Sequence, residues 1–307
     1  MTITKKKIAY AALIIAGFFT FAGSAWYLTF APTPYQVTQE QLDGYFTYPP
    51  QNTPNWQQSA LDKTNYEFTY RSFDGEVVHG RIRYPQPLVD ISEPIPVMIG
   101  AHGMGRSQIR WFQDSFKGRP TVESVDKIAE QALHQGYAVI SIDARNHGQR
   151  KNPDYTIADV MGDLHYWGKR GPYEAMIRDT VRDHRVLLDW IVKQPQFDSK
   201  RINIAGYSMG AQVSLLLASV DSRISDVAAV VPPHADDTTA LVSPSNFLAG
   251  LSDNKVWLVT GDDDEYASIE ENESFFNSIP SRNKKHLRFD SGHILPAHYV
   301  AQLVSWF

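Results

Sequence analysis

Apolar positions change their spacing several times along the chain, and each change marks a different kind of element. After Lys5, Lys6 and Lys7 and before Pro32 and Pro34, residues 8–30 form an unbroken, largely apolar run of 23 residues without a charge. A run of that length can span a bilayer core as a helix. The lysines would stay cytoplasmic, Trp26, Tyr27 and Phe30 would lie at the opposite interface, and the rest of the chain would be exported. A cleaved signal peptide is the competing expectation, because Ala22, Gly23, Ser24 and Ala25 offer small residues to a peptidase. A retained single-span anchor over residues 1–30 is preferred, and a buried core helix is the third alternative.

Over residues 31–61 the periodicity is lost and the composition shifts to Pro, Gln, Asn, Thr and Tyr. This stretch is expected to be a linker or irregular lead-in, with Tyr35, Tyr45, Phe46 and Trp56 able to pack on the domain downstream. One domain is expected over residues 62–307. Segments 66–73 and 77–84 alternate in character around Asp74-Gly75, which predicts an antiparallel hairpin. Residues 96–101, 137–142, 202–205, 227–231 and 256–260 are then short and almost continuously apolar, as in strands covered on both faces. Helical stripes lie between them. Val125, Ile128, Ala129, Ala132 and Leu133 form one that ends at Gly136, and Ile177, Val181, His184, Leu188 and Ile191 form another that ends near Pro195. Strands alternating with helices predict an α/β fold with a doubly wound, mostly parallel sheet and the hairpin on one edge.

Composition narrows the chemistry. The 307 residues, 43% hydrophobic, can bury a substantial core. A formal charge of −5, with no long basic run outside the N-terminus, gives no support for nucleic-acid binding. The sequence has no cysteine, which removes disulfides, thiolate nucleophiles and Cys-based zinc sites.

In open parallel sheets the ligand site lies beyond the carboxyl ends of the strands, so the residues following each strand carry the candidate chemistry. The β-branched run ending at Ala205 leads into Gly206-Tyr207-Ser208-Met209-Gly210 and then into a helix-favouring stretch without Pro or Gly. Strand, sharp turn and helix would lift the Ser208 hydroxyl out as a nucleophile, with Gly206 and Gly210 small because two backbones pass closely. His102-Gly103-Met104-Gly105 follows the strand ending at Ala101, and the Met104 and Met209 amides are candidate oxyanion donors. His102 is expected to be structural. Asp143 and Arg145, after the next strand, are expected to pair and tie their loop, in preference to a metal site built on Asp143 and His147. His184 is read as a core histidine.

After residue 260 come Asp262, Asp263 and Asp264, and Ser291-Gly292-His293 follows a further short strand at residues 286–289. A carboxylate there can fix the tautomer of His293 while His293 takes the serine proton. Asp264 is the preferred partner, with Asp262 and Asp263 next and Asp236 or Asp237 behind them. Loops 104–120 and 149–173 carry aromatics and cations, among them Arg106, Arg110, Trp111, Tyr166 and Trp167, that could overhang Ser208 and favour an acyl or aryl ester with an anionic group.

From about residue 65 onward, HGMG, DARNHG (143–148), GYSMG, GDDDEY (261–266) and SGH together resemble the α/β-hydrolase superfamily. The likeness is nearest to its dienelactone-hydrolase, acyl-peptidase and small-esterase branches. The resemblance implies a cofactor-independent acyl-enzyme mechanism on Ser208, Asp264 and His293 and leaves the substrate open between a small-molecule ester and a peptide-like one; a carboxylic-ester hydrolase is the preferred expectation. A serine peptidase or amidase is the alternative, followed by an acyltransferase and a non-catalytic binding protein. No propeller is recognisable, and residues 232–254 are too few for a large helical cap.

Overall fold

The computed structural model describes residues 2–49 and 55–307, with side chains from Lys7 onward. Met1 and residues 50–54, part of the expected lead-in, lie outside the described residues. Nine strands form one sheet: β1 (Gln57–Ala60), β2 (Asn65–Arg71), β3 (Val77–Arg83), β4 (Ile95–Ala101), β5 (Ala138–Ile142), β6 (Phe197–Tyr207), β7 (Asp226–Val230), β8 (Lys255–Gly261) and β9 (Lys284–Phe289). Their order across the sheet is β1-β2-β3-β5-β4-β6-β7-β8-β9. The first three strands join antiparallel, β3 also meets β5 antiparallel, and every pair beyond is parallel.

The continuous apolar runs form the parallel strands because both faces of the sheet are covered. Val97, Ile99, Ile140, Ile202 and Ile204 point into one buried cluster, together with Ile177, Val181 and Leu188 of α5 (Gly171–Ile191). Met98, Val139, Ala205 and Tyr207 point the other way, onto Ile128 and Ala132 of α3 (Val125–His134). Successive side chains of a strand alternate faces, so each run feeds two cores. The remaining helices of the domain are α4 (Ile157–Trp167), α6 (Met209–Val220), α7 (Ile269–Ser278) and α8 (Tyr299–Gln302). Between β7 and β8 the chain makes two 3₁₀ stretches, Asp237–Val242 and Pro244–Leu251.

The N-terminal helix α1 runs over Thr2–Phe30, and its Lys7–Phe30 portion is long and apolar enough to cross a membrane. These 24 residues measure about 36 Å at 1.5 Å per residue, against roughly 30 Å of hydrocarbon.

The stretch after α1 is more ordered than its composition predicts. Helix α2 (Gln39–Tyr45) starts with a reciprocal capping box between Thr38 and Gln41. Arg182 donates to the Tyr45 carbonyl and Arg185 to the Phe46 carbonyl, each at 2.7 Å, and the Tyr48 hydroxyl donates to Asp189 at 2.8 Å. The segment is thus strapped along α5. Strand β1 lies upstream of residue 62, the expected start of the domain. Its four side chains are all exposed, so it carries no alternation to read, and Trp56 beside it supplies the apolar contact. The Trp56 ring stacks on Trp190 at 3.5 Å and on Phe68 at 4.2 Å. Trp56→Ala should cost about 2 kcal/mol in a denaturant titration, with unchanged activity in the folded fraction.

Candidate active site

Ser208 sits between β6 and α6 with φ 57° and ψ −123°, in the positive-φ region that a side-chain-bearing residue adopts only when its surroundings force it. The forcing is visible in the neighbouring glycines. A Cβ on Gly206 would lie 2.1 Å from the Gly210 carbonyl oxygen, and one on Gly210 would lie 2.1 Å from the Ala101 carbonyl oxygen. Strand β6, helix α6 and the end of β4 therefore touch through bare backbone. The Ser208 N–H donates to the Val230 carbonyl at 2.9 Å, which ties the turn to β7 as well.

His293 reaches Ser208 from the loop after β9. Its Nε2 stands 2.8 Å from the Ser208 Oγ, and its Nδ1 stands 2.9 and 3.0 Å from the two carboxylate oxygens of Asp264. With the proton on Nδ1, the ring donates to Asp264 and accepts from the serine hydroxyl. The Asp264 carboxylate is almost fully buried and also accepts from the Tyr266 N–H at 2.9 Å. The other candidate acids stand elsewhere. Asp262 pairs with Arg288 at 2.8 Å, Asp263 is exposed, and Asp236 caps the turn at Thr238. The Tyr207 hydroxyl donates to the His293 carbonyl at 2.6 Å, so the residue before the serine pins the backbone of the histidine.

The loop after β4 lies against the serine: a Cβ on Gly103 would come within 3.6 Å of the Ser208 Cβ. Met209 is the first residue of α6, so its N–H is one of the helix-start donors without an intrahelical acceptor. His102 braces this loop, accepting the Ala144 N–H on Nε2 at 3.0 Å and donating from Nδ1 to the Gly103 carbonyl at 2.9 Å. It is a structural histidine by position, joining the loop after β4 to the loop after β5. His184 donates from Nδ1 to the Thr180 carbonyl at 2.8 Å inside α5.

Asp143 and Arg145 do not pair. The Asp143 carboxylate accepts the Gln108 and Gln149 N–H groups at 2.9 and 2.8 Å, and it fills the space where a Cβ on Gly148 would stand. Arg145 instead reaches the fully buried Asp183 of α5 and Asp74 of the hairpin turn, each at 2.7 Å. A carboxylate at a strand end beside free amides is better matched by those amides than by its sequence neighbour, while the arginine is long enough to reach α5.

A cavity of about 500 Å³ opens over Ser208, walled by Met104, Val122, Met161, Tyr173, Tyr266 and Ile294. The expected anionic-ester pocket is altered by Glu123, which no motif marked. Arg106 is ion-paired with the Glu123 carboxylate, and Arg110 stands 3.6 Å from it with its guanidinium over Phe116. Trp111 is buried in the core under β4, where its ring fills the place a Cβ on Gly100 would take. Tyr166 and Trp167 face α1.

Burial pushes His102 and His147 down to about 4 from an ordinary value of 6.5, with desolvation the largest cause for both. Between those values the unfolded chain binds protons that the folded chain refuses, so stability is complete above about pH 6.5 and is lost as pH falls towards 4. For His102 alone the loss is on the order of 3 kcal/mol. Thermal melts from pH 7 to pH 4 should show Tm falling through this window, more shallowly in His102→Asn than in the parent. Equal slopes would remove His102 as a cause.

A family model described as alpha/beta hydrolase fold matches residues 96–252. No curated protein sequence matches the chain significantly. Among solved structures, acetyl xylan esterase 1 from Thermoanaerobacterium sp. is similar with a TM-score of 0.64 and 17% identity, over 90% of this chain and 95% of that one. A cold-adapted esterase from an Arctic intertidal metagenomic library gives 0.58 at 16% identity, over 81% and 95%. An esterase from Pyrococcus furiosus gives 0.57 at 20% identity, over 85% and 95%. The similarity in structure extends across nearly all of each relative, and the family match covers half of this sequence, including β4 to β7 and the serine turn: the chain belongs to the α/β-hydrolase fold family.

Proposed function

We propose that this protein is a serine hydrolase that cleaves carboxylic esters through an acyl-enzyme intermediate. The single observation that carries the reading is the Ser208–His293–Asp264 chain of contacts, 2.8 and 2.9 Å long, at the floor of a largely apolar cavity. Three esterases among the similar structures support an ester over an amide.

In the first half-reaction the Ser208 Oγ attacks the carbonyl carbon while His293 Nε2 takes its proton. Charge passes to the carbonyl oxygen, which the Met104 and Met209 amides stabilise, and Asp264 offsets the positive imidazolium. Collapse breaks the bond to the leaving alcohol, which receives the proton from His293. Water then enters and attacks the acyl carbon while giving a proton to the same nitrogen; the bond to the Ser208 Oγ breaks, His293 returns the proton to that oxygen, and the acid is released. No cofactor takes part in this scheme. Helix α1 is the membrane anchor, with the catalytic domain on the far side of the membrane from Lys7.

A fluorophosphonate probe should label Ser208 in the purified full-length protein, and Ser208→Ala and His293→Ala should each abolish labelling. On a chromogenic acetate ester, each variant should lose at least about a thousandfold in kcat, with the double variant little worse than either single one. Asp264→Asn should also lose about a thousandfold or more, while Asp262→Asn and Asp263→Asn stay within about threefold of the parent. Turnover of the matched amide above that of the ester would replace the esterase reading with the peptidase one.

A further inference from the structure

We infer that the mouth of the cavity is held against the bilayer and that its substrate is a carboxylic ester presented by the lipid phase. The inference rests on the hydrolase and anchor readings above and adds where the substrate comes from. Helix α1 is exposed along Lys7–Phe30, and among the described residues its ring contacts with the domain lie at the end of the span. Trp26 stands 6.4 Å from Tyr166, and Phe30 meets Trp167 edge-on at 5.3 Å. The Phe30 carbonyl oxygen lies 2.6 Å from where a Cβ on Gly168 would stand, and Gly168, at φ 62°, closes α4. Just beyond, the Tyr35 hydroxyl donates to Glu174, and Arg170 lies over the Tyr35 ring at 4.4 Å. The exit of the span is thus gripped from two sides by the corner between α4 and α5.

The same corner forms one wall of the cavity. Met161 of α4 and Tyr173, in the first turn of α5, both line it. From Met161 to Trp167 is six residues, or about 9 Å of helix. The serine pocket therefore opens close to the point where the chain leaves α1, at the carboxyl edge of the sheet. An anchor gripped there holds that edge near the headgroups.

The exposed side chains in this region suit that depth. Tyr166 and Trp167 remain 62% and 50% exposed on α4, and Val122, Tyr266 and Ile294 at the cavity are 46%, 57% and 59% exposed. In water this is uncovered apolar area. At a bilayer interface, Tyr and Trp place their rings in the boundary with their polar tips wet, and Val122 and Ile294 meet acyl chains. A lipid-phase ester could then pass its carbonyl over this rim to Ser208 without crossing bulk water. The bonds made and broken are those of the proposed reaction, with a long-chain acid and an alcohol as products.

The test uses the full chain reconstituted in phosphatidylcholine vesicles, with p-nitrophenyl acetate in the water and p-nitrophenyl palmitate dissolved in the bilayer. The parent should turn over both. Tyr166→Ser/Trp167→Ser should keep acetate turnover within about twofold and lose about tenfold or more on palmitate, because the interface no longer holds the mouth. Gly168→Val, whose side chain would collide with the Phe30 backbone, should give the same selective loss from the other side of the contact. Retained acetate turnover reports that each variant is folded. Equal effects on the two esters, or a parent that cleaves acetate and ignores palmitate, would overturn the inference and leave the hydrolase reading intact. No turnover of either ester by the parent would overturn both. Intact mass showing cleavage before Trp26 would remove the anchor and the inference with it.

Discussion

The site depends on one steric constraint: three backbones meet where the carbonyls of Gly210 and Ala101 leave no room for a Cβ on Gly206 or Gly210. Strand β6 can turn directly into α6 only because that contact is bare, and the turn forces Ser208 to positive φ. The strained residue is held by the Val230 carbonyl and by the packed helix behind it, which carries Ala211, Val213, Leu215 and Leu216 fully into the core. Burial of that helix offsets a backbone strain on the order of 1–3 kcal/mol. The same closeness brings the loop after β4 alongside the serine, so the positions of Ser208 and of Gly103 beside it are set by a single packing event.

A second arrangement fixes what surrounds the serine. Asp183, fully buried in α5, accepts from Arg145 and Arg150 in the loop after β5 and from Ser72 in the hairpin turn. Asp143 gathers one amide from its own loop and one, that of Gln108, from the loop after β4, and His102 makes a second link between the two loops. A buried carboxylate with several donors adds little net stability, but removing any one partner leaves a charge in a place that cannot solvate it. The result is a unique loop arrangement, and it lies outside the cavity that the loops enclose.

The elements legible in the sequence were those whose physics is local. Apolar runs buried on both faces became the parallel strands, and the glycine spacing around Ser208 was enough to expect its turn. The illegible parts have non-local causes. Strand β1 exposes all four side chains and is fixed by pairing with β2, and α2 is held through its backbone carbonyls by arginines more than a hundred residues away. Arg145 and Asp143 are two positions apart, yet each found partners elsewhere. Glu123, which matches the charge of Arg106, follows no motif. Trp111 looked like a substrate wall because it follows a glycine-rich loop, but the hole beside Gly100 took it into the core.

One consequence concerns sulfur in a chain that has no cysteine. Three methionines line the cavity, and their environments differ: Met209 is 2% exposed, while Met104 and Met161 are half-buried. A thioether that meets solvent is open to peroxide, and its sulfoxide is a polar, chiral group where an apolar wall had been. The oxidant-sensitive atoms of the cavity wall are therefore the sulfurs of Met104 and Met161. Damage there would make part of the cavity wall polar while leaving the Ser208 hydroxyl, the His293 imidazole and the Asp264 carboxylate unmodified, and it would be reversible by a sulfoxide reductase.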